Sequence, residues 1–229
     1  MKALARRSEA AEQMDAADLD PATYARVLAD LSRVNAATLA ARPTLAFLAE
    51  ALRGRSRFRL LDVGFGSGDM LRRIARWARR QGLEAELIGV DLNPRSAPVA
   101  RAVTPADIII DYRTGDYAHV SEPLDLVISS LVAHHMTKPE LLAFLRFMEG
   151  RAGFGWLVND LHRHGFAHAG YPLLARALGV HRIVREDGRL SIARAFRPAE
   201  WHELLEEAGI AGAQVVRRFP FRLCVERRF

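Results

Sequence analysis

From residue 58 onward, short apolar runs alternate with longer stretches whose apolar positions recur at helical spacing, and glycine or proline stands at most of the joints. The runs 58–63, 85–90, 107–110, 124–129 and 155–159 predict strands. The first strand leads straight into a helix over 69–81 that ends at Gly82, a left-handed stop. A second helix opens at Asn93-Pro94. A third, over 140–149, follows Thr137-Lys138-Pro139-Glu140, in which Thr137 serves as N-cap and Glu140 answers it three residues on. Pro198 opens a helix running to residue 207, with Gly209 beyond it. The runs 214–219 and 221–226, split only by Pro220, read as an antiparallel hairpin or a bent strand at a sheet edge. Strand–helix alternation of this kind predicts an α/β domain with a doubly wound, mostly parallel sheet.

Two regions stand outside the alternation. Residues 1–57 carry no strand signal; Asp20-Pro21 marks a helix start, Leu28, Leu31 and Val34 repeat at helical spacing, and Pro43 marks a break or new start. Residues 161–193 are longer than an ordinary connection. They hold a helical pattern over 171–178 and a polar loop around Glu186-Asp187-Gly188. The expected organisation is therefore an N-terminal helical cap over 1–57 and a main domain over 58–229, with a substrate-shaping helical insertion at 161–193. Insertions at the carboxyl ends of parallel strands normally shape a binding site.

Composition narrows the class. The 229 residues suffice for one well-buried domain. No apolar run is long enough to span a bilayer, and the first residues lack a signal-peptide pattern, so stable membrane insertion is not expected. A single cysteine, Cys224, excludes an internal disulfide and points to a reducing cytoplasm. The net charge of +6 rests almost wholly on arginine, since Lys2 and Lys138 are the only lysines. The arginines are scattered, with no basic stripe interleaved with aromatics, so nucleic acid is not the expected partner.

The chemistry starts in Leu60-Leu61-Asp62-Val63-Gly64-Phe65-Gly66-Ser67-Gly68-Asp69. A strand enters three glycines at alternate positions and a helix follows at once. Missing Cβ atoms let the backbone approach a ligand closely. The spacing is not the G-x-G-x-x-G of pyrophosphate binders. The acidic lip at Asp62 suits a cationic ligand with an amino-acid tail. Asp91 ends the second strand, where a carboxylate accepts from both hydroxyls of a ribose; capping the next helix is its alternative, although Asn93 already suits that task. The segment resembles the first motif of the class I S-adenosylmethionine-dependent methyltransferases. The order of features strengthens the resemblance: glycine turn, Asp91 with Leu92 beside it, Gly115-Asp116-Tyr117, then Pro123-Leu124-Asp125-Leu126-Val127-Ile128-Ser129-Ser130. Leu124 replaces the usual Phe. The resemblance implies a seven-stranded, Rossmann-like methyltransferase fold with an antiparallel C-terminal pair. It implies S-adenosyl-L-methionine as cofactor and S-adenosyl-L-homocysteine as product. As cofactor-binding residues it points to Asp62, Gly64, Phe65, Gly66, Gly68, Asp91, Leu92, Asp116, Tyr117 and Ser130, with Asp116 beside the adenine amino group.

Methyl transfer needs an aligned nucleophile and, for a hydroxyl, a base. His134 and His135 lie just past the fourth strand, and Asp160 and His162 end the fifth, where they could form a carboxylate–imidazole pair. Capping and backbone satisfaction are the bland readings of these polar ends. His134, His135 and His162 are the candidate bases. Together with His164 they could also ligate a metal, but strand-end histidines without a cysteine partner more often serve as acid–base or structural groups, and no metal is expected. The segments 157–164 and 191–196 resemble the ubiquinone-pathway and phenolic O-methyltransferase branch, which implies a small apolar acceptor, aromatic or polyketide-derived, methylated on a phenolic or enolic oxygen. Carbon methylation of a quinone-type ring is the alternative. A nicotinamide oxidoreductase is disfavoured by the glycine spacing, and a non-catalytic binding domain by the intact series. No N-P-P-[YF] follows strand four, which argues against amide or base nitrogen as acceptor.

Overall fold

The structure is a computed structural model and describes residues 4–229. Seven strands form one sheet: β1 Arg57–Val63, β2 Glu84–Asp91, β3 Asp111–Thr114, β4 Leu124–Ser130, β5 Ala152–Leu161, β6 Gln214–Arg218 and β7 Arg222–Arg228. Their order is β3-β2-β1-β4-β5-β7-β6, parallel except where β7 runs antiparallel between β5 and β6. Among the described residues eight α-helices accompany them: α1 Pro21–Ala37, α2 Ala41–Ala51, α3 Asp69–Gln81, α4 Ser96–Ala102, α5 Lys138–Arg151, α6 Gly165–Ala177, α7 Arg182–Arg194 and α8 Pro198–Ala208. The doubly wound sheet and antiparallel C-terminal hairpin agree with the fold expected from the alternation and from the family resemblance.

Alternate strand residues divide between two cores because side chains leave a strand on opposite faces. Leu61, Ile88, Val127, Trp156 and Val225 pack with α5 and α8, where Phe144 and Trp201 are fully buried. Leu60, Leu87, Leu126, Leu157 and Cys224 face the other way, against Phe47 and Leu48 of α2 and Leu71 and Ile74 of α3. A third, purely helical cluster joins Val27 and Val34 of α1 to Ala175 of α6 and to Ile183 and Val184 of α7. Removing a side chain the size of Trp156 from such a core costs about 3–5 kcal/mol.

Local signals explain the helix ends. Asp20 accepts from the Thr23 amide ahead of Pro21. Gly68 and Gly82 bracket α3 in left-handed conformations, with Arg79 and Arg80 in its last turn. The Thr137–Glu140 capping box starts α5.

Three expectations are corrected. The third strand is not 107–110 but Asp111–Thr114. A turn closes from Pro105 to Ile108, and Arg79 holds both the side chain and the carbonyl of Asp107, so the isoleucine run stays outside the ladder. The expected polar loop at Glu186-Asp187-Gly188 is the middle of α7. Its glycine answers a close approach: a Cβ on Gly188 would lie 2.2 Å from Tyr171 Cζ. Finally, α4 begins at Ser96 rather than at Pro94; Asn93 instead caps the short turn before it by accepting from the Arg95 amide.

Candidate functional site

The strand order reverses direction between β1 and β4, and a cavity of about 620 Å³ opens beyond their carboxyl ends. Ligands bind at such switch points in open α/β sheets because diverging connections leave a crevice there. At one end stand Asp62, Gly64, Phe65, Gly66, Asp91 and Leu92; at the other, Glu12, His134 and His135 adjoin an apolar wall from α1, α6 and α7.

Gly64 and Gly66 both take positive φ, near +77° and +53°. A Cβ on Gly64 would lie 2.3 Å from Val132 Cγ2, so the turn from β1 and the turn from β4 touch through that missing atom. The third glycine, Gly68, backs onto the Tyr112 hydroxyl and is not on the cavity wall; its task is to start α3.

Asp62 is fully buried and its Oδ1 has no hydrogen-bond partner. Burial, with Asp69 and then Asp91 nearby, holds its carboxyl well above the ordinary range. An unpartnered buried acid at a ligand wall favours a cationic donor group. Arg73, on the first turns of α3, lines the same end and offers the opposite charge, which suits a zwitterionic tail. Asp91 accepts from the Gly66 amide at 2.9 Å and from the Asn93 amide at 2.8 Å, so it braces the glycine turn while lining the cavity. Burial is the main cause of its raised pKa. Leu92 is 74% exposed at the cavity wall, and Tyr117 and Ser130 also line it. Asp116 does not: its side chain accepts from the Ala118 amide and caps a short turn. Its two neighbours, Gly115 and Tyr117, are the residues of that motif on the wall.

β4 ends in a left-handed residue, Leu131, at φ 64. That turn reverses the chain into a 3-10 turn, Ala133–His135, and brings both histidines to the cavity. The pairing expected between Asp160 and His162 does not form. Asp160, fully buried, holds His134 instead: Nδ1 lies 2.7 Å from Oδ1, and the His134 amide donates to Oδ2 at 2.9 Å. Burial raises the Asp160 pKa, but His134 and the amides outweigh it, so the carboxyl sits below its ordinary value. An ionised carboxylate only accepts, so Nδ1 carries a proton, and in the neutral ring the lone pair is on Nε2. His162 is turned away from the cavity. Its amide donates to the Phe221 carbonyl, its ring lies beside His164, and burial, with Arg217 and His164, lowers its pKa to about 4. It is a neutral structural histidine, not a base at this site.

The residues missed by sequence reasoning come from the N-terminus. Residues 8–15 cross the cavity and carry Glu12, which is 4% exposed. Glu12 Oε1 stands 3.6 Å from His134 Nε2, and its Oε2 stands 3.8 Å from His135 Nε2. Burial pushes its carboxyl up to about 7, against the pull of His135 and a hydrogen bond from Ser191. Asp15 accepts from His135 Nδ1 at 3.1 Å. Buried Asp187 seats this segment by accepting from the amides of Gln13 and Met14. Arg7 and Arg194 clamp it to the carbonyls of His134, His135 and Met136. Nothing local marks Glu12, one acid among several between Glu9 and Asp20.

A methyltransferase-domain family model matches residues 60–150. Two ubiquinone biosynthesis O-methyltransferases from different strains of Cereibacter sphaeroides are 31% and 37% identical over 162 residues, 66% of this chain. The match spans 60% of the length of those relatives. Among solved structures, human N-acetylserotonin methyltransferase with SAM superposes at a TM-score of 0.65, with 16% identity over 97% of this chain and 62% of that one. The plantazolicin methyltransferase BamL, with SAH and a triazolic substrate analogue, gives 0.64 at 15% identity, over 85% of this chain and 71% of that one. These two likenesses concern the fold. No helix among the described residues is long and apolar enough to cross a membrane.

Proposed function

We propose that this chain, a member of the class I S-adenosylmethionine-dependent methyltransferases, methylates a phenolic or enolic oxygen of a small, apolar, aromatic or polyketide-type metabolite. When bound, S-adenosylmethionine supplies a methyl group already activated on a sulfonium. Asp62, Arg73, Asp91 and the backbone at Gly64 and Gly66 would hold it. The unpartnered Asp62 carboxylate and the Cβ-free turn favour that fit.

The remaining work belongs to the acceptor end. Leu31, Leu174 and Ile192 line that end and exclude water from an apolar ring. His134, fixed by Asp160, presents Nε2 to the acceptor hydroxyl and activates it, and His135 stands beside it with ring centroids 4.3 Å apart. His134 would take the hydroxyl proton at Nε2 and leave the oxygen free to accept the methyl group that the sulfonium supplies. The observation that carries this reading is a polar corner of two oriented imidazoles in a largely apolar chamber. The O-methyltransferase relatives support oxygen over carbon.

His134→Ala should cut turnover by roughly 10²–10⁴-fold while S-adenosylhomocysteine still binds by calorimetry. Full activity in both His134→Ala and His135→Ala would remove the histidines from the chemistry. Product fragmentation by mass spectrometry locates the new methyl on oxygen or on carbon.

A further inference from the structure

We propose that Glu12, His134 and His135 form a site for one divalent transition-metal ion of the Zn²⁺ class, opening onto the acceptor half of the chamber. One part of this rests on the reading above: that the acceptor is an oxygen nucleophile. It reverses the sequence-based expectation of no metal, which was drawn without Glu12, a residue far upstream in the chain.

Geometry supports it first. One ligand atom from each of the three residues lies within 4.8 Å of the others. The two measured gaps, 3.6 and 3.8 Å, are too long for hydrogen bonds. A tetrahedral ion with bonds near 2.1 Å holds its ligands roughly 3.4 Å apart, so a cluster lying within 4.8 Å closes on an ion by contracting at most roughly 1.4 Å. His134 and His135 are adjacent on one 3-10 turn, and their ring centroids lie 4.3 Å apart.

The second support is orientation. Each imidazole meets a carboxylate through Nδ1, His134 with Asp160 at 2.7 Å and His135 with Asp15 at 3.1 Å. Both Nε2 atoms therefore face Glu12, and in the neutral rings they are the nitrogens free to bind an ion. Carboxylate–histidine pairs of this kind fix the tautomer and raise ligand basicity at metal centres. Two imidazoles and a carboxyl converge there, and the Ser191 hydroxyl, which donates to Glu12 Oε1 at 2.8 Å, would steady that carboxyl as a ligand. Arg194 stands 3.9 Å from Glu12, but its N–H groups go to the carbonyls of Ala10, His134 and His135.

The donor set indicates the ion. Two nitrogens and one carboxylate suit zinc or ferrous iron and not the all-oxygen preference of magnesium or calcium. Three protein ligands leave a position open, and all three residues line the cavity. An acceptor hydroxyl in that position ionises more easily, its proton passing to solvent past half-exposed Asp15. The histidines then hold the ion rather than the proton.

The test uses the full chain and Zn²⁺ alone. Dialysis against Zn²⁺ followed by metal analysis should find one equivalent per chain. Glu12→Ala and His135→Ala should lose at least about tenfold in affinity, and Asp160→Asn, a positioning change, roughly 10–100-fold. His202→Ala, an exposed histidine on α8, should leave stoichiometry unchanged. Zn²⁺ should raise the melting temperature of the wild type but not of Glu12→Ala. A chelator should abolish methyl transfer, and Zn²⁺ or Co²⁺ should restore it. A wild-type chain that retains no Zn²⁺ and transfers methyl equally well in chelator overturns the proposal, leaving the histidines as bases. Binding of S-adenosylhomocysteine should ignore the chelator; its absence in all samples would instead sink the reading of function.

Discussion

At the cofactor end of the chamber, Asp62, Gly64, Gly66 and Asp69 all belong to one strand-to-helix turn, with Asp91 from β2 bracing it. At the acceptor end, Glu12, His134, Asp160 and Asp187 come from four separate elements. The first end is fixed by backbone geometry: the ladder pairing of Val63 with Val90 and with Ser129 sets where the turn stands. The second is fixed by side chains that reach for backbone, such as Asp187 to Gln13 and Met14, or Arg194 to Ala10 and His135. A turn built from neighbours tolerates little change. An assembly of distant parts can be altered one tie at a time, and its specificity can change without disturbing the sheet.

The largest effect should come where the two ends touch. Gly64→Ala puts a Cβ into Val132 and demands left-handed backbone of alanine. Strain and overpacking together cost about 2–6 kcal/mol, so both S-adenosylhomocysteine affinity and melting temperature should fall; an unchanged melting temperature would mean the two turns are not coupled.

A smaller and one-sided effect belongs to Asp62. Asp62→Asn should weaken S-adenosylhomocysteine binding by about 10–100-fold, the worth of a charged hydrogen bond, as read by calorimetry. Stability should move the other way. The folded carboxyl is raised above its unfolded value, so its favourable contribution exists at low pH and is lost as pH rises through the folded pKa. At neutral pH the ligand-free variant should therefore melt higher than the wild type. Cofactor affinity of the wild type should fall as pH drops, because the ligand then has to displace a proton.

The smallest effect tests the acceptor end alone. Asp187→Ala removes two ties from the N-terminal segment, so turnover should drop about tenfold, near 1.4 kcal/mol. Cofactor affinity should stay within about twofold, as expected for a distant, independent site. Trypsin should cut faster after Arg6 and Arg7. Equal proteolysis of both proteins would show that Asp187 does not seat the segment.

The same division governs what the sequence made legible. The glycine turn, Asp91 and the capping box at Thr137 are local signals, and each lies where its spacing predicts. The placement of β3 misled because apolar character was read as pairing: Ile109 is 90% exposed, while Tyr112, within a polar stretch, is buried. Gly188 misled because a glycine that makes room for Tyr171 looks the same in sequence as one that turns a chain. Asp160 was recognised as a histidine partner, but spacing favoured His162, two residues away on the same chain segment; the sheet brings His134 across from β4 instead. Glu12 had no local mark, since its burial depends on α7 and on the end of β4.

The clamp on residues 4–15 also has a temporal side. This stretch leaves the ribosome before its partners do: the carbonyls, arginines and acid that receive it emerge only with residues 134–136 and 187–197. Domains condense as their contacts become available during synthesis, so residues 4–15 must wait, undocked, until residues 187–197 have been made. The nascent protein thus acquires a finished glycine turn well before it acquires a closed reaction chamber.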